Sequence, residues 1–229
     1  MTALIVQARL DSSRLPRKAI LDLGGEPLVV RVMQALNAVQ CDIKILACPH
    51  DAAEAFTPLA FAAGFNLFAG SKEDVLGRYA AAVRHFALDA GNCRIIRATG
   101  DNPFVFADAA EKINDEAAGL DADYAAYSGL PYGAGVESVS AAALLRADAE
   151  SSTPYEREHV CPYLYMHPEI FTLHRPLAPS RWKAPHIRLT VDTADDYQYA
   201  QTLFAKLPVP PARYTGTAVI AAASSNFKI

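Results

Sequence analysis

Apolar and polar positions along the chain follow two periods. Short apolar runs bounded by polar or turn residues predict strands at 3–7, 42–47, 66–68 and 93–98. Between them, apolar side chains recur every three or four residues and predict helices at 28–38, 51–63 and 73–89. In the last of these, Val75, Leu76, Tyr79, Val83 and Phe86 share one face. Pro27 and Asp51 stand where helices can start. Strands alternating with helices point to parallel βαβ units. After residue 120 the rhythm changes. Residues 124–128 read as a strand, LPYGAGVES as a glycine-broken loop, and 140–149 as a helix. A helix at 154–166, strands at 170–175 and 188–192, and a helix at 194–206 follow. The tail PVPPARYTGTAVIAAASS ends in a short helix. The expectation is one domain over 1–229, with a lid or dimerisation subdomain within about 124–190.

Composition narrows the class. Hydrophobic residues make up 52% and charged residues 20%, which suits a soluble protein with a sizeable core. A net charge of −4 argues against nucleic acid as a partner, so any phosphate recognition has to be local. The N-terminal apolar run is too short for a signal peptide, and no stretch approaches the ~20 apolar residues needed to cross a bilayer. Cys41, Cys48, Cys93 and Cys161 form no C-x-x-C pair and no zinc-like spacing with the six histidines. They read as reduced thiols of a cytoplasmic protein.

Three segments carry candidate chemistry. The first strand runs into a loop with Arg9, Asp11, Ser12, Ser13, Arg14, Arg17 and Lys18. In open α/β sheets ligands bind at the carboxyl ends of strands, and cations with hydroxyls at that place suit a triphosphate. A merely basic surface loop is the plainer reading of composition. No G-x-x-x-x-G-K-[ST] occurs, and Gly133-Ala-Gly135 lacks the setting of a dinucleotide fingerprint. Second, IIRATGDNP delivers Asp101 to the end of a strand, either as an Mg²⁺ ligand or as an Asx-turn residue. Third, RLTVDTADDY places Asp192 at a strand end, although Asp192 or Thr193 could equally cap the next helix. Two carboxylates facing a basic loop would complete a metal–nucleotide site.

QAR-x-x-SSRLP-x-K resembles the signature of the sugar-activating cytidylyltransferases, the acylneuraminate and 3-deoxy-manno-octulosonate type. Within them it is most similar to the branch named after spore coat polysaccharide biosynthesis protein F. R-x-T-G-D-x-P, L-T-V-D-T-x-x-D, GSKEDVLGRY (70–79) and YEREHVCPYLY (155–165) resemble further segments of that branch, in family order from residue 4 to about 200. The resemblance implies a Rossmann-like three-layer nucleotidyltransferase fold, with a mixed, mainly parallel sheet and a small inserted arm that often mediates dimers. It implies transfer of CMP from CTP to an acidic sugar, with release of pyrophosphate.

On that resemblance Gln7, Ala8, Arg9, Ser13, Arg14 and Lys18 line the nucleotide site, with Asp74 and Arg78 at its border. Asp101 and Asp192 hold Mg²⁺, and Arg14, Lys18 and Asp101 carry catalysis. Glu137, Glu156 and His159 fall where the acceptor lies, while Glu156 and His159 also fit an exposed helix face. The remaining histidines read as structural. An acidic acceptor needs a cation, and Arg157, Arg181, Lys183 and Arg188 are available. Where the branch has glycines in its first loop, this chain has Asp11 and Arg17, which removes backbone freedom. Arg17 either contacts phosphate or points to solvent. The relevant rivals are a non-catalytic nucleotide binder, a nucleotidyltransferase for a phosphonate or polyol phosphate, and a glycosyltransferase. The last is disfavoured because Asp121-Ala-Asp123 precedes a strand.

Overall fold

A computed structural model describes residues 1–89, 91–207 and 215–225. The apolar run at the N-terminus forms β1 (Thr2–Gln7), whose Ala3 to Val6 are wholly buried. β2 (Ile43–Pro49) and β4 (Arg94–Thr99) pair with it in parallel on either side, and β3 (Asn66–Gly70) adds in parallel to β2. Strands covered on both faces read as continuous apolar runs, which is why these were visible in the sequence. Beyond β4 the sheet becomes mixed. β6 (Glu137–Ser140) runs antiparallel to β4, and β5 (Tyr124–Ala125) joins β6 to β7 (Leu173–His174). The resulting seven-stranded order is β3-β2-β1-β4-β6-β5-β7.

Helices cover both faces and make the expected three layers. One core gathers Leu4, Val6, Leu46 and Ile96 under α1 (Leu28–Leu36), α2 (Ala53–Ala62), α4 (Ala107–Gly119), α8 (Ala194–Phe204) and α9 (Gly216–Ser224). The other gathers Ala3, Ile5, Ile95 and Val139 under α3 (Val75–His85), α5 (Ala141–Glu150) and α7 (Pro162–Met166). α6 (Pro154–His159) precedes α7. Pro27 caps α1, whereas Asp51 lies in a 3₁₀ turn just ahead of α2. The expected tail helix is α9, and 208–214 ahead of it lie outside the described residues. All four cysteines are free thiols. Among the described residues no helix is long and apolar enough to cross a membrane.

Three expected elements differ. The glycine-broken loop ends in a strand, because once the glycines are passed Glu137 to Ser140 pair antiparallel with Arg94 to Arg97 of β4. The strand expected at 188–192 forms no ladder: Leu189 N–H donates to Tyr132 O, and Val191 N–H to Asp101 O. Its backbone is shared between two separate partners, so the segment stays extended outside the sheet. The single helix expected at 154–166 is broken at Val160, where φ is 74° and ψ −58° and Cys161 N–H donates to His159 O at 2.9 Å. That is a γ-turn in the rare, strained form, unusual for a β-branched residue.

Candidate active site

The carboxyl ends of β1 and β4 are drawn together by Gly100, whose N–H donates to Gln7 O at 2.7 Å. A Cβ at Gly100 would lie 2.9 Å from both Gln7 O and the Ala8 methyl, so only glycine permits this approach. The loop after β1 folds back on itself, with Arg17 N–H bonded to Leu10 O and Lys18 N–H to Leu15 O. Arg17 sits in the left-handed region at φ 55°, the conformation a glycine would adopt freely, and its side chain is exposed. Asp11 is also exposed and ion-pairs with Lys72 at 2.8 Å, and that pairing holds its carboxyl below the usual value.

Lys18 is turned inward. Its Nζ donates to Asp101 Oδ2 at 2.8 Å, Asp192 Oδ1 at 2.9 Å and Val191 O at 2.9 Å, so all three of its protons are used. The side chain is 11% exposed, against 64% for Arg14, whose guanidinium reaches Asp192 at 3.1 Å. Asp192 also accepts from Arg188 at 2.7 Å. Burial opposes ionisation of Asp192, but the Lys18 ammonium and Arg14 override it and hold its pKa below the ordinary value. The two carboxylates meet because Val191 N–H bonds Asp101 O, and Asp192 is free for the site because Thr193 caps α8.

These groups border a cleft of about 840 Å³ lined by residues from both halves of the sheet. Gln7, Ala8, Arg9, Ser13, Arg14, Lys18, Arg78 and Asp101 lie along one side, with Glu137 and His159 on the other. Arg78 is buried, donates to Ser71 O at 2.5 Å, and leaves its Nε–H without an acceptor. At the floor, Arg97 on β4 ion-pairs with Glu137 on β6 and donates to Gln7 Oε1 at 3.1 Å. Tyr124 OH donates to Glu137 at 2.9 Å, and burial together with that carboxylate pushes the phenol pKa well up. On the far wall the Arg175 guanidinium stacks 5.4 Å above the Tyr165 ring, and Tyr155 packs against His159.

Two expected site residues are not in the cleft. Asp74 caps α3 by accepting from Gly77 N–H at 2.8 Å and is gripped by Arg157. Glu156 closes the capping box of α6, bonded to Thr153 and Ser151. Both carboxylates are consumed by helix starts, the commonest use of such residues there. Of the cations considered for an acidic acceptor, Arg157 is committed to Asp74 and Asp148, and Arg188 to Asp192 and Asp196. Arg181 and Lys183 do not line the cleft. Sequence reasoning missed Arg97, Tyr124, Tyr165 and Arg175. The signal for Arg97 was present: a cation inside an otherwise buried strand has to be paired or used.

A divalent cation fits the donor set. Asp101, Asp192 and Val191 present three oxygens to one point, the position now taken by the Lys18 ammonium, and hard oxygen ligands of this kind suit Mg²⁺. Together they form a carboxylate pair, a basic hydroxyl-bearing loop and a deep polar cleft at the strand ends.

Several known proteins are similar to this chain in sequence or fold. The Bacillus subtilis spore coat polysaccharide biosynthesis protein SpsF is 31% identical over 209 residues, covering 88% of this chain and 85% of that protein. The structure of a cytidylyltransferase from Leptospira borgpetersenii superposes with a TM-score of 0.89 at 22% identity, over 98% of this chain and 94% of that one. A CMP:2-keto-3-deoxy-manno-octonic acid synthetase complexed with CTP superposes with a TM-score of 0.67 at 16% identity, over 89% and 98%. Residues 3–218 match the cytidylyltransferase family as a whole, and the chain therefore belongs to the cytidylyltransferases.

Proposed function

We propose that this enzyme transfers CMP from CTP to an acidic sugar of the nonulosonic or octulosonic type, within cell-surface or coat polysaccharide biosynthesis. The observation that carries this reading is the convergence of Asp101, Asp192 and Lys18 beside the loop after β1. Gln7, Ala8, Arg9, Ser13, Arg14, Lys18 and Arg78 take the nucleotide, and Asp74 serves that side by capping α3. Residues 124–190 bring the acceptor side, with Glu137 and His159 against the sugar hydroxyls. Arg175 is assigned to the acid: it lines the cleft and has no carboxylate within 4 Å among the described residues. The same region is the proposed contact of a homodimer.

In the reaction an acceptor oxygen attacks the α-phosphorus of CTP in line, the bond to the bridging oxygen breaks, and pyrophosphate leaves on the opposite side. The acceptor proton passes to solvent. Little covalent chemistry is asked of the protein, so positioning and charge neutralisation supply the acceleration. Asp101 and Asp192 are the residues that would hold Mg²⁺, which supplies neutralising charge at the phosphates when bound. Lys18 gives up carboxylate contacts to meet phosphate, and exposed Arg14 follows the same charge.

The test is pyrophosphate release with Mg²⁺ and each of the four nucleoside triphosphates against a panel of acidic sugars. Release with CTP and one acid, lost by at least about a hundredfold in Lys18→Ala and Asp101→Ala, is the expected result. Tight CTP binding without release on any acid would favour a non-catalytic binder or another acceptor class.

A further inference from the structure

We propose that Arg97 is a positioning residue that fixes the acceptor side of the cleft against the nucleotide side. The inference rests on the two-substrate reading above. Arg97 bridges the two sides inside the cleft: one terminal nitrogen binds Glu137 on β6, and the other donates to Gln7 Oε1 at the end of β1. The register allows this, since Arg97 stands opposite Glu137 on one side and on the other opposite Ile5, two residues before Gln7 on the same face of β1. The planar guanidinium reaches each partner through a separate outer nitrogen, in a fork whose geometry is fixed.

Stability alone does not explain the arrangement. A buried ion pair is weak evidence of stabilisation, because desolvating both charges offsets their attraction. Here the Nε–H is buried without an acceptor, so the guanidinium is oriented for its two outer nitrogens at the expense of the third. The surroundings hold it there. The Tyr79 ring, wholly buried on α3, lies 5.8 Å beneath the guanidinium, and Tyr124 OH pins the other oxygen of Glu137. Burial tends to neutralise Arg97, but the Glu137 carboxylate more than restores its charge. A fixed cross-brace of this kind sets the distance between the acceptor oxygen and the α-phosphorus, the quantity to which an in-line displacement is most sensitive.

Steady-state kinetics and CTP calorimetry on Arg97→Lys and Tyr124→Phe test this, using whichever acid of the panel the wild type turns over fastest. For Arg97→Lys the expected result is a kcat lowered at least about tenfold and an acceptor KM raised about tenfold, with CTP affinity within about threefold. Tyr124→Phe removes a phenol hydroxyl without unpairing a charge. It should raise the acceptor KM about threefold, leaving CTP affinity and melting midpoint nearly unchanged. Wild-type turnover with both variants within twofold of it overturns the inference and leaves the proposed function standing. So does a parallel loss of CTP affinity, acceptor affinity and melting midpoint in both, which is the signature of a purely structural pair. A wild type that releases no pyrophosphate with any acid overturns the proposed function, and the inference with it.

Discussion

Gly133 leaves no room for a side chain. Its φ is +91°, and a Cβ there would lie 2.7 Å from Thr190 N and 2.9 Å from Asn102 Oδ1. The backbone it would strike is the segment that carries Asp192 to Asp101. Gly133→Ala should therefore cost about 2–4 kcal/mol in urea denaturation, above the roughly 1 kcal/mol expected at an open left-handed glycine such as Gly25. It should weaken activity at the same time, since the displaced segment holds half of the carboxylate pair. Arg17 is the converse case: a left-handed residue at φ 55° that kept a side chain, facing solvent, at a cost of about 1–2 kcal/mol. Residue identities were legible in the sequence where the chemistry is local. The basic loop, Asp101 and Asp192 could all be read from strand-end motifs. The inward turn of Lys18 could not, because its partners lie 83 and 174 residues away.

At the next scale, helix starts claim carboxylates that a motif alone leaves open. Asp74, Glu156 and Asp196 all sit at the beginnings of helices and serve them. A motif shows a carboxylate but not whether the helix claims it. Asp196 gives a measurable instance. Burial would raise its pKa from 3.8, but Arg188 and the N–H groups of Asp192 and Thr193 bring it down to about 2. A depressed carboxylate stabilises the fold above its unfolded value and loses that contribution as pH falls through the folded one. Wild type should thus lose stability between about pH 4 and pH 2, and Asp196→Asn, less stable at pH 7, should lose less over that window. Urea midpoints across pH compare the two. Helix periodicity also failed to show the break at Val160, because apolar positions continue across it. The signal that was there is Pro162, which is disfavoured inside a helix and instead starts α7. The γ-turn is imposed by packing: Val160 and Cys161 are both fully buried against the sheet.

Across the molecule, the parallel half of the sheet was readable because strands covered on both faces are nearly all apolar. The other half was legible only in part: strands were expected at 124–128 and 170–175, where β5 and β7 form over two residues each, but β6 read as the end of a glycine-broken loop. β5 is placed by pairing with β6, whose own start follows two glycines, and β7 by pairing with β5. Arg97 and Glu137 join the parallel half to β6, the strand that was read as loop, and the acceptor side was accordingly the least legible part of the site. On the nucleotide side the carboxylates come with their own counter-ion. Three oxygens are satisfied by a single ammonium, so the resting protein is electrostatically complete without metal. A chelator should therefore leave the melting midpoint where it was. Lys18→Met should lower stability by about 1–3 kcal/mol, by leaving Asp101 without its ammonium and Asp192 with Arg14 and Arg188 alone, and added Mg²⁺ should restore part of that loss. In that variant alone, the metal would become part of the fold.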